Sequence, residues 1–158
     1  MKFELFKNDD EFDIYLKIAN LANGTEDIPD YYERELKSFL KYTQKMPDNY
    51  TICEQGGLLY ALRDHTQAII GTLCVTEDRY FQECAQIRHV AIAPEHQGKG
   101  YGKFMIDAIH RALPKHCTFS CSILSTVSVG NFYEKCGMHE IGRLTTDGYT
   151  RIFYSKKL

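Results

Sequence analysis

Three stretches of this 158-residue chain predict an α/β domain on a mostly antiparallel sheet. Residues 86 to 93 read as a strand that ends at Pro94, and Phe104, Met105, Ala108, Ile109, Ala112 and Leu113 then repeat at helical spacing. Cys117, Phe119, Cys121 and Ile123 alternate with Thr118, Ser120 and Ser122, the period of two of a strand with one apolar face. Two last strands, about 139 to 145 and 149 to 155, turn back on each other around Asp147-Gly148, a dipeptide suited to a tight hairpin.

The remaining elements follow in order. Lys2 to Phe6 suggests a short first strand. Asn8 and Glu11 have capping-box spacing ahead of a helix whose face is Phe12, Tyr15, Leu16, Ala19 and Ala22 and which stops at Gly24. Pro29 opens a second helix, Tyr32, Leu36, Phe39 and Leu40 form its stripe, and Pro47 closes it. Residues 50 to 63 and 68 to 76 read as strands broken by Gly56-Gly57 and by the turn Asp64 to Gln67. So short a connection favours antiparallel pairing. The helix after residue 100 ends at Leu113-Pro114, and a short one from Ser128 to Lys135 is stopped by Gly137.

At this length one domain over residues 1 to 158 is expected. No apolar run approaches the roughly 18 to 20 residues of a membrane span, and Met1 to Lys7 carries acid inside its apolar run, unlike a signal peptide, which points to the cytoplasm. A formal charge of −2 gives no field for nucleic acid or an anionic membrane, so neither is expected as a partner and a polyanionic ligand must be held by local geometry. Cys53, Cys74, Cys84, Cys117, Cys121 and Cys136 form no C-x-x-C pair; buried thiols are expected, with no metal.

The turn Gln97-Gly98-Lys99-Gly100-Tyr101-Gly102 feeds straight into a helix, and its backbone N–H groups have no intrahelical carbonyl to bond. With the positive end of the helix dipole they form a site for phosphate. No register supplies the Gly-Lys-Ser/Thr of a Walker loop, and a dinucleotide fingerprint meets Lys103 or Met105 where Gly or Ala is required. What remains is Gln-x-x-Gly-x-Gly at Gln97, Gly100 and Gly102 after the strand Val90-Ala91-Ile92-Ala93-Pro94. That pattern resembles motif A of the GCN5-related N-acetyltransferase superfamily. Asn131-Phe132-Tyr133-Glu134-Lys135-Cys136-Gly137-Met138 is similar to its motif B, at matching spacing. The resemblance covers the strand order from about residue 50 onward, while residues 1 to 49 match only as two helices.

The resemblance implies a mixed, mostly antiparallel central sheet with helices on both faces, splayed between its fourth and fifth strands. Acetyl-coenzyme A is the implied co-substrate, its pyrophosphate on the backbone of Gln97, Gly98, Lys99, Gly100, Tyr101 and Gly102, with Lys103 near the edge. The pantetheine arm would lie along Val90, Ala91 and Ile92 like an added strand, with Asn131 on the opposite side. A backbone N–H near Val90 would stabilise the oxyanion. The implied reaction is direct transfer of acetyl to a primary amine, and Tyr133 matches the position of the acid that protonates the leaving thiolate.

An amine with a pKa of about 10.4 must lose a proton before attack. Gln86 occupies the position where one branch of the superfamily has a catalytic Glu, and an amide cannot take that proton. His89 is the first candidate base; Glu83, Glu54 and His96 are weaker, and water is the other route. A β-bulge near Val90 would reverse which face of the strand His89 occupies. Thr126 stands where motif B commonly has Asn. The acceptor is expected to be a small-molecule amine; a protein or peptide amine, or a non-catalytic acyl-coenzyme A sensor, are the alternatives. Homodimer formation stays open.

Overall fold

The protein is described here by a computed structural model covering residues 1–24, 26–48, 56–77, 83–115, 117–124 and 130–158. Cys53, Glu54, Thr126 and the start of the strand expected from residue 50 lie outside them. The strands are β1 (Lys2–Leu5), β2 (Gly57–Arg63), β3 (Ile69–Glu77), β4 (Cys84–Ile92), β5 (Phe119–Leu124), β6 (His139–Thr146) and β7 (Tyr149–Lys157). The helices are α1 (Phe12–Asn20), α2 (Asp30–Gln44), α3 (Tyr101–Ala112) and α4 (Gly130–Lys135).

The strands form one sheet in the order β1-β2-β3-β4-β5-β7-β6. Every neighbouring pair is antiparallel except β4 and β5, which are parallel and joined through α3. The expected mixed, mostly antiparallel α/β architecture is what the chain adopts. β6 and β7 turn at Asp147 and Gly148, both with positive φ (52° and 79°), the backbone a two-residue hairpin requires.

Both faces of the central strands are covered, which is why Gly57 to Leu62 reads as an unbroken apolar run and is buried throughout. Leu58, Tyr60 and Leu62 pack with Leu73, Val75, Ile87, Met105, Ile106 and Ile109 on the side of α3 and α4. Leu59, Ala61 and Cys74 pack with Tyr15, Leu16, Tyr32, Leu36 and Leu40 on the side of α1 and α2. The two aromatic hydroxyls in this second layer are satisfied by backbone: Tyr15 donates to Leu73 O at 3.1 Å and Tyr32 to Ala19 O at 2.7 Å.

The first helix starts later than capping-box spacing suggests, because a 3-10 turn at Asp9–Glu11 precedes it. Asn8 still caps, accepting from Asp10 N at 3.0 Å, and its amide donates to Glu11 Oε2 at 2.8 Å. Glu11 and Glu4 both hold the Arg63 guanidinium, Glu11 at 2.6 Å and Glu4 at 3.0 Å, which ties the chain's start to β2.

His110 on α3 lies 2.8 Å from Ser120 Oγ and 3.4 Å from Lys156 Nζ, locking α3 onto β5 and β7. Burial, then the Lys156 charge, pull its imidazole down to about 4. A folded-state value below the unfolded one means that the unfolded chain binds the extra proton, so stability falls as pH drops from about 6.5 towards the folded value. Melting temperatures across that interval should decline for the native chain and decline less for His110→Gln; identical slopes would contradict this assignment.

Candidate active site

The parallel pairing of β4 with β5 covers only Cys84↔Phe119, Ala85↔Ser120 and Gln86↔Cys121. Beyond it the strands part. The cleft between them measures about 2430 Å³, well above the roughly 300 to 1,000 Å³ of a pocket for one small ligand. Its walls come from β4, the turn before α3, Phe132 and Tyr133 of α4, the α1–α2 connection, α2, and the uncovered side of β5 and β7.

At one end lies the glycine-rich turn. Gly98 and Gly100 have φ of 73° and 81°, a conformation that favours glycine, and no protein atom lies within 4 Å of where either Cβ would stand. The space beside this backbone is therefore free for a ligand. Gly100 precedes the first residue of α3, and no side chain caps the helix. Its first amides are thus available to an anion. The Gln97 side-chain amide donates to Ile92 O at 2.9 Å and fixes the turn to the end of β4. Gly102 is there for a close approach, since a Cβ would stand 2.9 Å from Phe132 Cε2.

β4 carries the expected bulge. Thr72 pairs with Ala91 and Cys74 with Arg88, so His89 and Val90 together stand opposite Leu73. His89 takes a positive φ of 54° to make it. The parity of the strand then reverses: Ala85 and Ile87 face the α3 core, and so do Val90 and Ile92. Arg88 and His89 both fall on the α2 side, where Glu35 meets them. Arg88 donates from Nη2 to Glu35 Oε2 at 3.1 Å, its Nη1 lies 2.9 Å from Oε1, and His89 Nε2 lies 3.3 Å from Oε2. Burial raises the Glu35 carboxyl, but His89 and Arg88 outweigh it and leave it below the usual range. Burial lowers the His89 imidazole, with Glu35 opposing only in part. Its ring sits edge-on to Tyr32, with centroids 4.7 Å apart.

Tyr133 projects from α4 beside the parting of the strands. It is 6% exposed and lies between Phe132 and Tyr154, at 4.9 and 5.8 Å. Burial pushes its phenol up to about 12, against a hydrogen bond with Ser122. It therefore keeps its proton at neutral pH. Ser122 Oγ also donates to Ile87 O at 3.1 Å, satisfying β4 just past its last pairing with β5.

Most residues singled out by sequence share this cleft: Glu83, Gln86, His89, Val90, Ala91, Ile92, His96, Gln97, Gly98, Gly100, Tyr101, Gly102, Lys103 and Tyr133 line it. Lys99 and Asn131 do not. Lys99 turns its ammonium back to Glu95 O at 3.0 Å, and Asn131 is exposed on α4. Glu83 accepts from Thr118 Oγ1 at 3.1 Å. Glu35, Arg88 and Ser122 escaped the sequence reading. The one available signal was the position of Glu35, an acid three residues after Tyr32 on the buried edge of the α2 stripe.

A family model described as acetyltransferase (GNAT) family matches residues 25–138, well over half the chain. The chain belongs to this family. The GNAT match extends across both motifs and back into the α1–α2 connection. A spermidine N(1)-acetyltransferase of Vibrio cholerae serotype O1 is 26% identical over 134 residues, which cover 82% of this chain and 76% of that protein. A ribosomal-protein-alanine N-acetyltransferase from Brucella melitensis superposes with a TM-score of 0.73 at 15% identity, over 100% of both chains. An aminoglycoside 6'-N-acetyltransferase complexed with coenzyme A gives 0.74 at 11% identity, over 99% of this chain and 97% of that one. At such identities the structural likeness speaks for the fold. None of the described helices is long and apolar enough to cross a membrane.

The approach of Gly102 to Phe132 makes a direct test of the α3–α4 contact. Gly102→Val should destabilise by about 1 to 3 kcal/mol through overpacking, and Phe132→Leu in the same chain should recover part of it. Urea unfolding of the two variants checks this; a loss unaffected by Phe132→Leu would place the strain elsewhere.

Proposed function

We propose that this chain transfers an acetyl group from acetyl-coenzyme A to the primary amine of a small molecule by direct attack. The observation that carries the proposal is the unclosed sheet edge of β4 beside an uncapped glycine-rich turn. A pantetheine arm is a chain of amides with the pattern of a strand and suits that edge. A pyrophosphate suits the free amides of Gly98 to Lys103. The fit is supported by the empty space over Gly98 and Gly100, which any Cβ-bearing residue would partly fill. Acetyl-coenzyme A would supply an activated thioester, and no metal enters the reading.

Val90 lies at the head of the cleft, and its backbone N–H is the proposed donor to the carbonyl oxygen on which charge develops. Tyr133 is the proposed acid. A phenol pushed up to about 12 keeps its proton at neutral pH, so its O–H can stand as a hydrogen-bond donor to the sulfur as negative charge develops there. Gln86 reaches the cleft yet has no basic atom. For the acceptor's proton one observation favours water over His89: the ring is 9% exposed and its Nε2 is turned to Glu35. The acceptor would enter from the α2 side, past Tyr31, Phe153 and Arg151. A small-molecule amine is supported by the spermidine acetyltransferase relative, while the protein-directed structural neighbour keeps a peptide amine as the alternative.

The test is thiol release from acetyl-coenzyme A against a panel of polyamines, amino-acid amides, aminoglycosides and peptides. Release above the amine-free background is expected with at least one small amine, and tight binding without release would mean a sensor instead. Tyr133→Phe keeps the ring and its packing, so kcat should fall roughly 10²-fold or more, as for loss of a general acid, while acetyl-coenzyme A affinity holds. Equal turnover by the variant would assign Tyr133 to the core.

A further inference from the structure

The bulge in β4 is an expensive local structure with an unusual holder. His89 is a β-carbon-bearing residue at positive φ, a state that costs of order 1 kcal/mol or more unless its surroundings enforce it. Bulging also puts two consecutive side chains, Arg88 and His89, on one face where strand alternation would separate them. Arg88 is cationic and the His89 ring beside it is largely buried, so that face needs a compensating anion. Glu35, more than fifty residues earlier and on another element, contacts both at once. His89 Nε2 is buried with no aligned hydrogen-bond partner, and the Glu35 carboxylate, 3.3 Å away, is the polar group beside it. Thr72 Oγ1 adds one bond to His89 O at 3.2 Å, and Tyr32 closes the pocket edge-on.

We propose that Glu35 is a positioning residue: by gripping Arg88 and His89 together it fixes the bulge, and so the backbone of Val90 at the head of the cleft. The inference rests on the acetyl-transfer reading for its catalytic consequence, but its structural half does not. Without Glu35, Arg88 loses its ion pair and His89 Nε2 loses the polar group beside it. The bulge can then slide or straighten, and a one-residue slip would rotate Val90 away from the position it holds beside Ile87 and Ile92. The glycine-rich turn is tied separately, through Gln97 to Ile92 O, and would be left in place. Glu35 would thus affect the rate far more than it affects coenzyme A binding.

The experiment compares Glu35→Gln with the native chain by amide hydrogen exchange and by steady-state kinetics. Exchange at His89 to Ala91 should quicken at least tenfold, with Ile87 and the α3 amides unchanged. In kinetics, kcat should fall roughly ten- to hundredfold, as for a slightly misplaced donor, with KM for acetyl-coenzyme A within about twofold. Arg88→Gln, which removes one of the two gripped groups, should show the same pattern more weakly and serves if Glu35→Gln does not fold. Uniform quickening across the sheet, or unchanged exchange at His89 to Ala91, would overturn the proposal. So would an unchanged kcat in a chain that is active as the native form. A native chain that binds no acetyl-coenzyme A and releases no thiol would remove the acetyl-transfer reading instead, with the grip on the bulge still judged by exchange.

Discussion

β4 and β5 are bonded to each other for three residues and then separate, and the rest of the site depends on that missing ladder. A sheet that parts in its middle exposes backbone N–H and C=O groups that a closed sheet would satisfy. Some of them are satisfied from within: Ser122 Oγ bonds Ile87 O, and Gln97 bonds Ile92 O. These two contacts sit at the two ends of the open stretch of β4. Between them lie Arg88, His89, Val90 and Ala91, the length along which an extended amide ligand is proposed to lie. The parting is also what lets the cleft run from the glycine-rich turn through to the α2 side.

Charge follows from the same geometry. The bulge turns Arg88 and His89 towards α2, and Glu35 compensates them there, so the cleft wall on that side is nearly neutral despite three ionisable groups. With the His89 imidazole lowered by burial, the neutral ring prevails at pH 7 and the Arg88–Glu35 pair is left balanced. Tyr133, the proposed acid, lies on the α4 side, where burial keeps its proton on.

Local signals carried much of this. The turn chemistry of Gly98 and Gly100, the strand before them and the Asp147-Gly148 hairpin are set by nearest neighbours, and each stands where spacing put it. A bulge near Val90 enters the sequence reading only as what would decide the side of His89, and the register of β3 with β4 supplies it. The grip of Glu35 was not legible, since it joins α2 to β4 across a layer boundary and no local pattern encodes which acid will face which strand. Ser122 reads as the small polar half of an alternating strand, and only the parting of β4 from β5 gives its hydroxyl Ile87 O to bond. The Lys99 side chain is equally illegible: its ammonium turns back to Glu95 O, a contact that no local pattern announces.

The central claim is that free backbone at the head of α3, beside the open edge of β4, holds acetyl-coenzyme A. Titration calorimetry of acetyl-coenzyme A into the native chain and into Gly100→Asp tests it most directly. At Gly100 the φ is positive and the adjoining space is empty, so the variant adds both backbone strain and a carboxylate where pyrophosphate is read to sit. The native chain should bind and the folded variant should lose at least a hundredfold in affinity; equal affinity in a folded variant would contradict the account.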